Sequence, residues 1–319
     1  MLTFILLDYR SAEQTVTYIH HLCEKIIKVQ EPISFVVVDN SVDSSNFDFL
    51  SKAFKTIEKK NWNGSIIEKK EVDGKPLYLW ANVENAGYAR GNNAGAKIAL
   101  DYIKSDYLLF SNNDLVVLDP LLDLDRLILE QKKEGVAIVG PSIIGKNGEK
   151  QNPYKEKSFF LRWGLEYLLY PCGSILPQSY RSGDVLEPFT SNPVFRVMGS
   201  FFLISSSSFW LVDGMDPHTF LFAEELILAK RLQQVNLLVH YVDSVHLLHN
   251  HSTSINKYYN QTERLKQRFK SELYYYQKYV GVGKFIVFVV KKIFSSYLIR
   301  KKGTMIIKKT LKKTGCFSE

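Results

Sequence analysis

The stretch Ile33-Ser-Phe-Val-Val-Val-Asp-Asn-Ser41 decides the fold. Residues 33–38 form a short, nearly continuous β-branched and aromatic run, the pattern of a strand buried on both faces of a parallel sheet. The run stops on Asp39, Asn40 and Ser41, whose short polar side chains bond to nearby backbone and favour a turn. The same unit recurs on either side. Residues 2–7 are a compact apolar run ending in Asp8-Tyr9-Arg10, and helical spacing follows over 13–28. Residues 77–80 read as a third strand, followed by a Gly/Asn loop over 85–93 and an Ala-rich helix to about residue 104. Residues 107–110 are a fourth strand, closing on Ser111-Asn112-Asn113-Asp114, and 136–139 are a fifth. Strands alternating with helical patterns predict βαβ units, and so an α/β fold with a mostly parallel sheet flanked by helices.

Beyond residue 146 the pattern changes. Residues 146–193 are rich in Gly, Pro, Ser and aromatics, with an apolar patch around 161–176, and predict a long functional insertion within one domain. A strand at 195–204, a helix at 222–233 and a strand at 237–242 restore the alternation. A Tyr-rich helical stretch over 256–279 then leads into a basic tail. The predicted division is therefore a domain over 1–255 and a helical extension over 256–319.

Composition narrows the class. The 319 residues are 45% hydrophobic and 23% charged, as in an ordinary soluble domain. The opening MLTFILLDYR lacks a basic leader and a small-residue cleavage site, and reads as a strand. The three cysteines, Cys23, Cys172 and Cys316, are too few and too scattered for a disulfide framework or a zinc site, which favours a reducing compartment. The net charge of +8 is concentrated: ten Lys/Arg and one acidic residue follow from Lys284 on, leaving 31 basic and 32 acidic residues for everything before. A nucleic-acid enzyme spreads positive charge over its binding face, so nucleic acid is not an expected partner. In the tail, apolar runs at 285–290 and 293–299 alternate with Lys291-Lys292 and Arg300-Lys301-Lys302. Neither run approaches the roughly 18 uncharged residues of a membrane span. The alternation instead predicts a peripheral element lying on an anionic leaflet, at the cytoplasmic face of the cell membrane.

Ligands of open parallel sheets bind at the carboxyl ends of the strands. One Asp there is what any turn carries, but Asp8, Asp39 and Asp114 stand at three such ends. Asp39 suits hydrogen bonding to a base imide or a ribose hydroxyl. In 85–93 the glycines allow close backbone approach to an anion, and Arg90 stands where it either faces a diphosphate or serves the helix start. Asp114 suits a hard cation held by oxygen, Mg²⁺ or Mn²⁺. Glu224-Glu225 opens a helix, where acids are favoured by the dipole and where a carboxylate can also act as general base. His246, His249 and His251 either pack on a strand or ligate.

In order along the chain, these motifs resemble family 2 glycosyltransferases of the GT-A (Rossmann-like) fold, in particular the rhamnosyltransferase-like branch of bacterial surface polysaccharide synthesis. The motifs are Val38-Asp39-Asn40-Ser41, Asn85-Ala-Gly87-Tyr-Ala-Arg90-Gly-Asn-Asn93, Asn112-Asn113-Asp114, Met198-Gly-Ser-Phe-Phe-Leu-Ile204, Glu224-Glu225 and His249. Tyr9-Arg10 stands where the family has Tyr-Asn, and Ile227 replaces a further acid, while Arg231 is retained. The resemblance implies an inverting transfer from a nucleotide-diphosphate sugar (dTDP-rhamnose or a UDP-sugar) to a saccharide acceptor, a lipid-linked one. It places Tyr9, Asp39, Asn85, Gly87, Arg90, Asn93, Asn112 and Asn113 at the donor, Asp114 and His249 at the metal, and Glu225 with Glu224 at the acceptor, Glu225 as base. Two other readings remain at this point. A metal-dependent nucleotidyltransferase would carry a Gly-rich loop after the first strand, where residues 4–11 have no glycine. A catalytically degenerate GT-A scaffold is the second, kept open by Arg10 and Ile227.

Overall fold

The computed structural model describes residues 1–26, 29–62, 64–156, 185–186, 188–250 and 260–313, with side chains as far as 302. The predicted apolar patch at 161–176, most of the predicted insertion and His251 lie outside the described residues. The chain divides into two compact units, one of Met1–Lys155 with Val185–Glu272 and one of Glu156–Asp184 with Leu273–Glu319.

The first unit is built on a ten-stranded sheet. In chain order its elements are β1 (Leu2–Asp8), α1 (Ala12–Lys25), β2 (Ile33–Asp39), α2 (Ser44–Ala53), β3 (Lys55–Trp62), β4 (Ser65–Val72), β5 (Lys75–Ala81) and α3 (Gly87–Ile98). After α3 come β6 (Tyr107–Ser111), β7 (Leu115–Val117), α4 (Leu124–Gln131), β8 (Val136–Gly145), β9 (Phe201–Ser205), α5 (Ser206–Leu211), α6 (Glu224–Gln234) and β10 (Leu238–His249). The strand order is β3-β4-β5-β2-β1-β6-β9-β8-β10-β7. Strands β5, β2, β1 and β6 pair in parallel, as do β8 and β10. Antiparallel β9 joins these two groups, and β7 closes the β10 edge.

Every residue of β2 is buried, as its unbroken apolar run requires. Alternate residues serve two cores. Phe4, Leu6, Phe35 and Val37 meet Tyr18, Ile19 and Leu22 of α1 on one face. Ile5, Val36 and Val38 meet Ala89, Ala96 and Ile98 of α3 on the other. Each large apolar side chain so buried contributes roughly 1.5–3 kcal/mol, which is what holds the strand ends in fixed register.

Several boundaries differ from the sequence reading. The hairpin β3–β4 extends the sheet antiparallel beyond β5, and β3 is charged and exposed along nearly its whole length, so it carries no apolar period to read. The strand expected over 195–204 begins only at Phe201. Most of the expected 85–93 loop is the first two turns of α3, which starts at Gly87. Strands β8 and β10 run well past the apolar segments that announced them, through a bulge between Val242 and His246, and this brings His249 into the sheet.

Two further helices follow, α7 (Gln261–Lys278) and α8 (Lys284–Lys313). Among the described residues no helix is long and apolar enough to cross a membrane. Helix α8 exposes Phe285, Phe288 and Ile299 amid its lysines.

Candidate active site

Strands β1 and β2 end in register, with Asp8 opposite Asp39. Both carboxylates are buried, and Asn46 of α2 bridges them, its Nδ2 donating to Asp8 Oδ1 at 2.7 Å and to Asp39 Oδ1 at 3.0 Å. Burial raises the Asp39 pKa, the nearby Asp8 adds to that, and hydrogen bonds from Ser41 and Asn46 oppose it. Nothing in the sequence pattern distinguished Asn46 from any other residue of a short helix. Next in the chain, Asn40 ties down the 82–87 segment: its Nδ2 donates to Asn85 Oδ1 at 3.0 Å, and its Oδ1 accepts from the Ala86 amide at 3.2 Å. Gly87 has φ +80°, and a Cβ there would stand 2.4 Å from the Phe220 carbonyl oxygen. Only glycine permits that approach, and the Tyr88 amide completes it by donating to Phe220 O at 2.8 Å.

These strand ends border a cavity of about 340 Å³. Tyr9, Asn85, Gly87, Asn112, Asn113, Asp114, Glu224, Glu225 and His249 all line it, so nine of the residues singled out in the sequence converge. Leu7, Met198, Phe220, Leu221 and Phe222 supply apolar wall. Asp39, Arg90 and Asn93 are not among the lining residues. The Arg90 guanidinium is more than half exposed, with Nε donating to the Pro217 carbonyl at 3.1 Å. Asn93 exchanges two hydrogen bonds with the Met215 backbone, at 2.7 and 2.9 Å. Both therefore hold the 213–220 segment against α3. Asn113 turns its amide to Ser11 and Thr15 of the α1 start, at 2.9 and 2.6 Å.

The Asp114–His249 pair is made by the sheet edge. Leu115 of β7 pairs with His249 of β10, and the Asn250 amide donates to Asp114 O at 2.9 Å. His249 Nε2 consequently lies 3.4 Å from Asp114 Oδ2, with both side chains more than nine-tenths buried. His249 Nδ1 is 2.9 Å from Gln151 Oε1, an acceptor that takes its proton, while Nε2 is the ring nitrogen facing the carboxylate. An imidazole nitrogen and a carboxylate oxygen presented together are a donor set for a divalent cation, and a buried partner on the far ring nitrogen is the usual support of such a ligand. Among the described residues no group of three or more His, Cys, Asp or Glu could hold a metal. The pair thus fits a cation that takes its remaining ligands from phosphate and water. His246 is turned elsewhere, with Nδ1 3.0 Å from Asp119 Oδ1.

Glu224 and Glu225 open α6 under unusual backbone strain: Phe222 and Ala223, just before them, have φ of 72° and 70°. Left-handed non-glycine residues persist where surrounding structure over-determines them, commonly at functional sites. The two acids then part in character. Glu224 is 3% exposed, its Oε1 has no hydrogen-bond partner among the described residues, and burial, with Glu225 alongside, pushes its pKa up to about 8. Glu225 is more open, and its Oε1 accepts from Arg196 at 3.2 Å. Tyr88, half-buried in the cavity wall, has its hydroxyl pKa raised by desolvation first and then by the nearby acids, and it donates to the Gly199 carbonyl at 2.8 Å.

Sheet order, strand-end carboxylates and the His/acid constellation define a GT-A fold, and comparison with solved structures agrees. A mannosyltransferase from Pyrobaculum calidifontis, solved in complex with GDP-Man and Mn²⁺, superposes with a TM-score of 0.52 at 12% identity, covering 89% of this chain and 65% of that one. GalNAc-T7, solved with UDP, GalNAc and Mn²⁺, gives 0.56 at 14%, covering 88% and 48%. In sequence, 119 residues are 32% identical to the N-acetylglucosaminyl-diphospho-decaprenol L-rhamnosyltransferase of Mycobacterium tuberculosis, in strain H37Rv and in strain CDC 1551 / Oshkosh alike. The match covers 36% of this chain and 38% of that relative's length. No protein-family model matches the chain. The chain has the GT-A glycosyltransferase fold, and the partial sequence match agrees with the resemblance to the rhamnosyltransferase-like branch of family 2.

Proposed function

We propose that this chain is an inverting, metal-dependent glycosyltransferase, moving a sugar from a nucleotide-diphosphate donor to a saccharide acceptor in surface polysaccharide synthesis. One observation carries the reading: a single cavity at the carboxyl ends of a GT-A sheet holds the Asp114–His249 pair and the Glu224–Glu225 pair together. Asp114 and His249 would hold Mg²⁺ or Mn²⁺, which supplies charge neutralisation to the departing diphosphate. Asn85 and Asn112, which line the cavity, address the nucleotide, and the buried Asp39 supports that end through its bonds to Ser41 and Asn46. Glu225 takes the proton of the acceptor hydroxyl as it attacks the anomeric carbon. Glu224, whose pKa is raised to about 8, stays protonated near neutrality and keeps a second negative charge away from the acceptor subsite. The wall of Met198, Phe220, Leu221 and Phe222 limits water, which favours transfer over hydrolysis.

The partly matching relative is named for a rhamnosyl transfer to a lipid diphosphosugar, which supports dTDP-rhamnose over a UDP-sugar as donor and a lipid-linked acceptor. Helix α8 supports the same reading. Its exposed Phe285, Phe288 and Ile299 lie among Lys284, Lys291, Lys292 and Arg300, a surface suited to an anionic leaflet and to peripheral attachment at the cytoplasmic face. The test is incubation of the purified protein with a panel of dTDP- and UDP-sugars, divalent metal and membrane lipid extract, followed by mass spectrometry. A lipid product heavier by one glycosyl residue is expected. Absence of any such product across the panel overturns the reading.

A further inference from the structure

Glu225 is held by a device that the sequence motifs do not contain. Residues 152–154 run alongside 196–198: the Tyr154 amide donates to Arg196 O at 2.9 Å, and the Met198 amide donates to Asn152 Oδ1. The Arg196 guanidinium lies 3.6 Å above the centre of the Tyr154 ring and is only 11% exposed. A planar guanidinium stacked on an aromatic ring has few ways to move, and its donor fork is aimed in advance. That fork reaches Glu225 Oε1 at 3.2 Å. The other oxygen, Oε2, lies against Gly199, where a Cβ would be 3.6 Å away, and Gly199 lines the cavity. One carboxylate oxygen is therefore anchored to the protein and the other is left on the cavity side. Among the described residues Glu224, the neighbouring acid, has no comparable cation and is bonded instead by Thr219 and nearby backbone.

We infer that Arg196, clamped by Tyr154, is the positioning residue that makes Glu225 rather than Glu224 the base, by fixing one oxygen and presenting the other to the acceptor hydroxyl. The inference rests on the proposed transferase reading. It adds a residue that touches no reacting atom and acts wholly through Glu225.

The test uses the full chain, with the donor and acceptor found by the panel above. Arg196→Ala should lower kcat about 10²-fold, the size of effect produced by a misplacement of about 1 Å, while donor affinity measured by calorimetry stays within about 2-fold. Millimolar guanidinium should restore part of the kcat of Arg196→Ala and none of that of Glu225→Gln, a distinction that a merely structural role would not produce. Retained kcat in Arg196→Ala, a loss that follows donor affinity, or no response to guanidinium would each overturn the inference. If Arg196→Ala does not fold, Tyr154→Leu removes the clamp alone and must lower kcat with donor affinity unchanged. The parent reading fails separately, by wild-type turnover in Glu225→Gln.

Discussion

Replacing Glu224 by Gln should stabilise the protein, and by an amount that depends on pH. In the folded chain the Glu224 carboxyl is moved from 4.5 to about 8, chiefly because burial penalises its charged form. The sign follows from proton counting. Below about pH 4.5 both folded and unfolded states hold the proton and the group contributes nothing. Between the two values the unfolded chain releases a proton that the folded chain keeps, so folding loses about 1.4 kcal/mol for each pH unit. Above about pH 8 the penalty is constant. At pH 7 it amounts to about 3 kcal/mol, a large share of the roughly 5–15 kcal/mol by which domains are stable. Gln has nearly the same shape and no charge to bury. Urea unfolding of wild type and Glu224→Gln, without metal or nucleotide, should show a stability gap under about 1 kcal/mol at pH 5 that widens to about 3 kcal/mol at pH 7 and levels above pH 8. A gap that stays constant over this range would refute the claim that Glu224 is protonated in the folded site.

Three other outcomes follow from the same geometry. Asp114→Asn should abolish the part of nucleotide-diphosphate affinity that EDTA removes from wild type, as calorimetry with and without metal would show; an undiminished metal effect would discount the Asp114–His249 pair. Gly87→Ala should cost about 2–4 kcal/mol in urea unfolding, since φ of +80° disfavours any side chain and the new Cβ would meet Phe220 O at 2.4 Å. Lys291→Glu, Lys292→Glu and Arg300→Glu combined should release the full chain from anionic vesicles in a sedimentation assay, because each basic residue near such a surface contributes about 1 kcal/mol. Equal sedimentation would refute attachment through α8.

What the sequence disclosed, it disclosed through periodicity and polar strand ends. The run over 33–38 announced a doubly buried strand, and all of β2 is buried. Asp39 and Asp114 stand at strand ends, as the turn chemistry after 33–38 and 107–110 suggested. The parts that stayed hidden depend on long-range pairing. The contact between Asp114 and His249 is created by β7 pairing with the far end of β10, a register that no local pattern encodes. The 85–93 segment looked like a loop because glycine and asparagine are poor helix formers. Packing of Ala89 and Gly91 against the sheet overrides that propensity. Arg196, Tyr154 and Asn46 had no motif to mark them, since each acts by touching a residue at least seven positions away in the chain.

In the proposed reaction, a single displacement, Glu225 deprotonates the acceptor as the diphosphate leaves from the opposite face. That displacement is tested most directly by proton NMR of the newly formed linkage, which reports the anomeric configuration of the transferred sugar relative to the donor. Inversion is expected, with a rate that falls roughly 10²–10⁴-fold in Glu225→Gln. Retention of configuration, or inversion at an undiminished rate in that variant, would contradict it.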